Sequence, residues 1–211
     1  MITLAMLQRH WPHADQHVPG LIEGIAKAAP EVFPKYGYTS EMSVAHAMAQ
    51  FSEECGAGLE MEENMNYSAQ RLRQVFPTHF TGTMAERYAH NPRMIADVAY
   101  GGRMGNRPPP SDDGYNFRGR GLSQVTGREG YGKLAEKTGF DLTNHPELLS
   151  DPDHALECGV ADLVLCGCLP FSLHDDIVSE TKHLNGGLNG LAERRQWLAV
   201  WKRELLNGGT S

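Results

Sequence analysis

The sequence has no excess of basic residues and no long apolar run. Its 19 Lys and Arg against 26 Asp and Glu give a formal net charge of −7, whereas a nucleic-acid-binding protein carries a basic face. No stretch is as long as the roughly 18 consecutive apolar residues that a membrane-spanning helix needs. The first residues, MITLAMLQRHWPHADQ, lack the basic and then apolar segments of a signal peptide. We therefore expect no nucleic-acid partner, no membrane span and no signal peptide.

Cysteine is scarce, and its spacing does not suit a metal site. The four cysteines, Cys55, Cys158, Cys166 and Cys168, form no CxxC pair, and the 10 histidines contain no HExxH motif. A structural zinc site needs ligands at such short spacings. The last three cysteines lie in an apolar stretch of helical character, where cysteine behaves as a small hydrophobic residue. We predict four reduced core cysteines and no metal or cofactor.

Length and periodicity predict a mostly α-helical single domain. A chain of 211 residues is long enough to bury a sizeable core. Prolines break residues 1–40 into short helical pieces that we interpret as a packing scaffold, and helical spacing dominates most of the remaining chain. Residues 101–127 are rich in Gly and Pro and lose this spacing. That composition favours a small irregular β lobe, with residues 117–125 extended.

The stretch from Val44 to Tyr67 carries the first candidate catalytic group. Its first half has apolar residues every three or four positions, which predicts a helix that starts near Ser40 and ends before Gly56. Glu54 falls at the edge of the apolar stripe, in the last turn of this helix. The helix dipole disfavours a negative charge there by about 0.3–1 kcal/mol, so a helix selected for stability alone would favour Lys or Arg.

A second acidic group follows in the same stretch, at Glu60, Glu62 and Glu63. One carboxyl group beside apolar residues and another in a polar loop have the different surroundings that acid–base catalysis requires. The alternative is that the glutamates are ordinary solvated surface, which is the commoner role of such residues.

Residues 117–126 contain further polar candidates. In FRGRG, Arg118 and Arg120 would project to one side of an extended chain, and a salt-bridged surface hairpin explains them equally well. The Thr126 hydroxyl is suited to hold a water molecule, and Gln124 would face the same side. Alternatively, Thr126 and Glu129 form a capping box for the next helix.

The last predicted helix, residues 191–205, places an arginine among apolar residues. Arg194 lies in the middle of the stripe formed by Leu191, Leu198, Trp201 and Leu205. An unpaired buried charge is very costly, so Arg194 needs a carboxylate partner. That partner is either part of a structural ion pair or one of the candidate catalytic acids.

Several segments, in order, resemble family 19 glycoside hydrolases, which include chitinases and the phage-type endolysins that cut peptidoglycan. The segments are AQFSEECG, EENMNYSAQRL, YGGRMGN, FRGRGLSQVTGREGY and LNGGLNGLAERR, and the resemblance covers about residues 40–205. It implies a lysozyme-like α-helical fold with a substrate cleft between two lobes. It also implies inverting hydrolysis of a β-1,4 bond beside an N-acetylated sugar, without a metal or cofactor.

The resemblance assigns a role to individual positions. Glu54 matches the catalytic acid, Glu63 the catalytic base, and Thr126 the residue that helps to position the attacking water. The residues expected at the substrate are Tyr67, Gln124, Tyr131, Asn185 and Arg194. In such a mechanism the acid is commonly tuned to a pKa of roughly 6–7, and the two carboxyl groups lie roughly 6.5–9.5 Å apart.

Two positions depart from the family pattern. Glu53 replaces the usual histidine before the acid, and Gly130 replaces an asparagine four residues after Thr126. These changes leave open an inactive glycan-binding relative, and a true chitinase is a further alternative to an endolysin. The resemblance implies peptidoglycan or a chitin-like glycan as partner. We expect a monomer made in the host cytoplasm that reaches the cell wall by holin-type release or contact-dependent export.

Overall fold

The computed structural model of the chain describes residues 1–206 and Gly208, and this part of the chain is mostly α-helical. The helices are α1 (Leu4–His10), α2 (Leu21–Lys35), α3 (Glu41–Glu54), α4 (Ala69–Val75), α5 (Met84–Tyr88), α6 (Pro92–Tyr100), α7 (Asp113–Asn116), α8 (Arg128–Thr138), α9 (Ala155–Leu165), α10 (Leu169–Leu173), α11 (Ile177–Asn185) and α12 (Leu191–Leu206). Short 3-10 turns lie at Ala14–Gln16 and Pro146–Ser150. The predicted mostly α-helical class is confirmed. Across the described residues, no helix combines the length and apolar character needed to cross a membrane.

The chain forms two compact units. The first unit contains residues 1–61, residues 121–124 and the described residues from 147 onward. It includes α1–α3 and α9–α12. The second unit contains residues 62–120 and 125–146, with α4–α8.

Helix α3 is the central element of the first unit. Residues 43–52 of this helix are all buried, and α12 packs along it. The Ser40 hydroxyl accepts a hydrogen bond from the Ser43 backbone N–H at 3.1 Å, so the predicted cap is present. At the other end, Gly56 turns the chain with a φ of 53°, a conformation that costs glycine little. Glu54 is therefore the last residue of a helix whose position is fixed by the core.

A shared hydroxyl joins α3 to two tryptophans. The indole N–H groups of Trp11 and Trp201 both donate to Ser52 Oγ, at 3.0 and 2.9 Å. The Ser52 hydroxyl in turn donates to the Met48 carbonyl at 2.6 Å. Both tryptophans are fully buried, so this junction satisfies two indole donors that water does not reach.

The first 40 residues are less interrupted than the sequence predicted. Helix α2 continues through Pro30 and Pro34, although an interior proline removes a backbone hydrogen bond. One face of α2 is buried, including Ile25, Val32 and Phe33, and this packing compensates for the missing bonds.

The four cysteines are free, and of these only Cys166 is partly exposed, in agreement with the predicted reduced core cysteines.

The second unit has its own apolar cluster, built from α4, α5 and α6 around Leu72, Phe80 and Ile95.

The extended conformation predicted for residues 117–125 is wrong. These residues form turns, and among the described residues β pairing is limited to isolated bridges of Arg120 with Glu62 and with Val125. The predicted β lobe is thus reduced to these bridges, and residues 101–127 instead include the one-turn helix α7.

Candidate active site

Glu54 and Arg194 form an ion pair in the first unit. The Arg194 Nη2 atom lies 2.5 Å from Glu54 Oε1, and the two side chains are 4% and 17% exposed. Glu54 is the last residue of α3 and Arg194 lies in the first turns of α12. Arg194 thus has the carboxylate partner that its place in an apolar stripe predicted, and that partner is the predicted acid. Because Arg194 is itself buried, it contacts Glu54 rather than an open surface.

The other nitrogens of the Arg194 guanidinium are also bound. Nη1 donates to Gln50 Oε1 at 2.5 Å, and Nε donates to the Asn189 carbonyl at 3.3 Å. A guanidinium is planar, so acceptors at three of its nitrogens fix its orientation. The cation beside Glu54 is held in one place.

Asn185 shapes the turn that leads into α12. Its side-chain amide donates to the Asn189 carbonyl at 3.0 Å, and its side-chain oxygen accepts from the Gly187 backbone N–H at 2.9 Å. The Asn189 carbonyl therefore receives hydrogen bonds from both Asn185 and Arg194. Asn185 supports the Arg194 site through this turn, and its contact with a sugar stays a prediction.

Two more carboxylates lie near Glu54 in the first unit. Burial raises the pKa of Glu53, although the Arg194 charge opposes this rise. Burial also raises the pKa of Asp162 to about 6; the nearby Ser123 side chain opposes the rise, and the negative charge of Glu54 adds to it. Glu53 and Asp162 therefore hold their protons to higher pH than usual.

Glu63, in the second unit, has neutral partners. Its Oε1 accepts a hydrogen bond from the Tyr100 hydroxyl at 2.7 Å, and its Oε2 accepts from the Gly119 backbone N–H at 3.2 Å. The Glu63 backbone N–H donates back to the Gly119 carbonyl at 2.8 Å. These bonds orient the carboxylate without placing a cation on it.

The neighbouring Glu62 has a different role. It pairs with Arg118 and with Arg120, whose Nε lies 3.0 Å from Glu62 Oε1. The salt bridges of the surface-hairpin alternative for FRGRG are therefore present, but both arginines are buried and the segment forms turns rather than a hairpin. Glu62 is the shared carboxylate partner of two structural cations, which leaves Glu63 as the better candidate for chemistry.

Tyr100 was not expected from the sequence. Its pKa is raised by burial and by the adjacent Glu63 carboxylate, so the hydroxyl stays protonated and donates. The pKa of Tyr67 is raised by the same two effects. Its ring packs edge-on against the ring of Phe76, with 5.8 Å between the ring centroids. The predicted Tyr67 is therefore part of the surroundings of Glu63. Tyr100 lies in the motif YGGRMGN, but no local spacing in the sequence indicates its contact with Glu63, which lies 37 positions earlier.

Tyr131 does not have the predicted role at the substrate. The side chain is fully buried, and its hydroxyl donates to the Arg118 carbonyl at 2.7 Å while accepting from Arg120 Nη1 at 3.2 Å. A ring without exposed surface cannot stack on a sugar. Tyr131 instead supports the buried arginines beside Glu62.

Thr126 and Gln124 lie in different settings. Thr126 is half-buried and precedes Gly127, which is the N-cap of α8. The alternative capping box with Glu129 is therefore wrong. Gln124 has a left-handed backbone with a φ of 54°, and its amide donates to the Glu60 and Gly121 carbonyls at 2.6 and 3.1 Å. Roles of Thr126 at water and of Gln124 at a sugar stay predictions.

Comparison with known proteins decides the family. No family model matches the chain. The chain is 32% identical over 196 residues to a glycosyl hydrolase family 19 domain-containing protein of Haemophilus influenzae, covering 92% of each protein. The chain belongs to glycosyl hydrolase family 19. Its helical fold also agrees with solved family 19 structures, which confirms the predicted lysozyme-like class.

Two of these structures come from a bacterium and a plant. Chitinase C of Streptomyces griseus is 17% identical, with a TM-score of 0.61 over 97% of this chain and 92% of that one. A class IV chitinase of Zea mays is 13% identical, with a TM-score of 0.52 over 90% of this chain and 81% of that one. At these identities the likeness concerns the fold.

The two positions that depart from the family 19 pattern each pack closely against a neighbour. Glu53 packs against Gly190, where an added Cβ would lie 2.4 Å from Glu53 Oε1 and where a φ of 68° also favours glycine. Gly130 lets α8 approach Val125, since a Cβ there would lie 3.2 Å from Val125 Cγ1.

Proposed function

We propose that this family 19 chain hydrolyses the β-1,4-linked glycan of bacterial peptidoglycan by an inverting mechanism. Glu54 acts as the general acid and Glu63 as the general base. The supporting observation is the different setting of these two motif-matched glutamates. Glu54 contacts the Arg194 cation, whereas Glu63 accepts hydrogen bonds from neutral groups.

In the first part of the proposed reaction, Glu54 protonates the glycosidic oxygen as the bond to the leaving sugar breaks. The proton transfer leaves a carboxylate on Glu54. Arg194 stabilises this charge because an opposite charge in direct contact favours the ionised form. The buried hydrogen bonds of Arg194 keep the cation in place during the transfer.

In the second part, Glu63 accepts a proton from the attacking water. The hydrogen bonds from Tyr100 and Gly119 favour the ionised form of a carboxylate, and a base must be ionised to act. Thr126 helps to position the water in the proposal, as its match to the family motif implies. Attack on the face opposite to the leaving group inverts the anomeric carbon.

Peptidoglycan is the proposed polymer because the resemblance places the base, Glu63, at the short distance in sequence from the acid, Glu54, that it implies for the phage-type endolysins. Chitin is the second candidate. It is favoured by the solved structures with this fold, which are described as chitinases. Both polymers present β-1,4 bonds beside N-acetylated sugars, so one set of residues serves either.

Mass spectrometry of the released fragments separates these candidates. Purified peptidoglycan and colloidal chitin are incubated with the protein in parallel, and the fragments identify both the polymer and the bond that is cut. We expect fragments from peptidoglycan. Fragments from chitin alone would move the assignment to a chitinase. Binding to either polymer without new reducing ends would indicate an inactive glycan-binding protein.

The same assay tests the two glutamates. Glu54→Gln and Glu63→Gln should each lower turnover by at least about 100-fold, because each removes a proton-transfer group. The melting temperature should change little in Glu63→Gln and should fall in Glu54→Gln, because buried Arg194 loses its carboxylate partner; a circular-dichroism spectrum at the assay temperature shows that this variant is folded. Glu31→Gln and Glu136→Gln are matched controls, since these exposed residues lie on α2 and α8. Near-normal turnover in either active-site variant would refute the role of that residue.

A further inference from the structure

Gln50 is a buried polar residue that the proposed mechanism does not yet use. It lies one helical turn before Glu54 on α3, and its side chain is fully buried. On an α-helix, residues four positions apart lie on the same face. Gln50 and Glu54 therefore face α12 together, and Arg194 contacts both of them.

The hydrogen bonds of Gln50 have a defined direction. The Thr181 hydroxyl donates to the Ile177 carbonyl at 2.7 Å, so its oxygen is available to accept. The Gln50 amide nitrogen donates to that oxygen at 3.4 Å. This contact turns the amide oxygen of Gln50 toward Arg194, where it accepts from Nη1 at 2.5 Å.

The neutrality of Gln50 matters for Glu54. A carboxylate at position 50 would hold the guanidinium equally well, but it would also neutralise it. An amide oxygen fixes the direction of Arg194 and leaves its positive charge for the second contact, 2.5 Å away at Glu54 Oε1. The Asn189 carbonyl at Nε is likewise neutral. Of the acceptors on Arg194, Glu54 is the charged one.

We propose that Gln50 is a positioning residue for Glu54, which fixes the Arg194 guanidinium against the carboxylate without cancelling its charge. This inference rests on the proposed function, in which Glu54 is the general acid. Gln50 touches neither the substrate nor the reacting atoms in the proposal and acts only through Arg194.

A titration of Glu54 tests this inference without relying on activity. The protein is labelled with ¹³C at glutamate side-chain carboxyls, and the Glu54 signal is assigned by its loss in Glu54→Gln. In Gln50→Glu the new carboxylate competes for Arg194, so the titration midpoint of Glu54 should rise by roughly one pH unit. Gln196→Glu is the matched control. It adds the same charge at an exposed position of α12, two residues from Arg194, and should leave the midpoint unchanged.

A second variant covers the case in which Gln50→Glu does not fold. Gln50→Met keeps the length of the side chain but removes the acceptor for Nη1, so Arg194 is no longer held and the Glu54 midpoint should also rise. The inference is overturned if the Glu54 midpoint in both Gln50 variants equals the midpoint in Gln196→Glu. If Gln50→Glu cannot be measured, an unshifted Glu54 midpoint in Gln50→Met overturns it.

Kinetics then separate this inference from the proposed function. If the wild type hydrolyses peptidoglycan, the alkaline limb of its kcat/KM profile should move to higher pH in Gln50→Glu, because Glu54 keeps its proton longer. A purely structural role would lower activity without moving this limb. A wild type that cuts neither peptidoglycan nor chitin refutes the proposed function, while a shifted Glu54 titration still supports the control of Glu54 by Gln50.

Discussion

At the scale of single residues, neighbouring glutamates of this chain differ in what they contact. Glu62 pairs with both Arg118 and Arg120, and the adjacent Glu63 accepts hydrogen bonds from a tyrosine hydroxyl and a backbone N–H. A carboxylate that pairs with two buried cations is costly to protonate or move. A carboxylate held by neutral donors can exchange a proton at lower cost, which is what a general base requires.

Tyr100 provides the residue-scale prediction. Tyr100→Phe removes the hydroxyl that donates to Glu63, so the ionised form of Glu63 loses a stabilising hydrogen bond. The acid limb of the kcat/KM profile should move upward by roughly one pH unit, because the base becomes protonated at higher pH. A pH–rate profile of the purified variant on solubilised peptidoglycan measures this shift.

The matched control is Tyr88→Phe, which removes a hydroxyl from a partly buried tyrosine in the same apolar cluster. Its profile should overlay that of the wild type. An acid limb in Tyr100→Phe that also overlays the wild type would mean that Tyr100 does not tune the catalytic base.

At the scale of secondary-structure elements, α3 connects the core to the candidate acid. Four of its polar side chains make defined contacts. His46 binds Glu180 and Asp175, Gln50 binds Arg194, Ser52 binds two tryptophans, and Glu54 binds Arg194. Contacts along the whole helix therefore fix the position of its last residue.

Ser52 gives a stability prediction for this element. Ser52→Ala leaves the buried indole N–H groups of Trp11 and Trp201 without their acceptor. Each unsatisfied buried donor costs roughly 1–3 kcal/mol, so for two donors the free energy of unfolding should fall by about 2–6 kcal/mol. Urea denaturation followed by tryptophan fluorescence measures the change.

Ser179→Ala is the comparison variant for Ser52→Ala. Ser179 is half-buried, and its backbone N–H donates to Asp176 in the cap of α11, so its substitution leaves no buried indole donor without an acceptor. The expected loss of stability there is small. Equal losses in the two variants would mean that the indole hydrogen bonds contribute nothing measurable.

His46 gives the pH prediction. Burial opposes a charged ring, but hydrogen bonds and charge from Glu180 and Asp175 outweigh it and raise the pKa of His46 above 6.5. The stabilisation from protonated His46 is therefore fully present below pH 6.5. It is lost as the pH rises through the raised value.

Chemical denaturation at a series of pH values tests this expectation. The free energy of unfolding should fall more steeply above neutral pH in the wild type and in the exposed control His17→Gln than in His46→Gln. Equal slopes in the three proteins would show that His46 carries no proton-linked stability.

At the scale of the whole molecule, short-range signals in the sequence predicted the helices well. The cap near Ser40 was correctly predicted, because it forms a hydrogen bond three residues along the chain. The alternative capping box at Thr126 is absent, since Gly127 is the N-cap of α8. The first N–H groups of α8 are instead bound by the Asn106 side chain and the Met104 carbonyl, which lie about twenty positions earlier.

The same limit applies to the candidate site. The need of Arg194 for a carboxylate follows from its position in an apolar stripe, but the contacts of Gln50 with Arg194 and of Tyr100 with Glu63 join residues 144 and 37 positions apart. No periodicity encodes such pairs. Tyr131 matches a family motif, yet its burial depends on packing around two arginines that the motif does not reveal.

The stereochemistry of the product tests the central claim most directly. Proton NMR of a soluble β-1,4-linked oligosaccharide from peptidoglycan, recorded during the first minutes of hydrolysis, shows which anomer is released before mutarotation. An inverting pair of carboxylates predicts the α-anomer first, with no release by Glu54→Gln or Glu63→Gln on the same timescale. Initial β-anomer, or release that persists in both variants, would contradict the mechanism proposed for this chain.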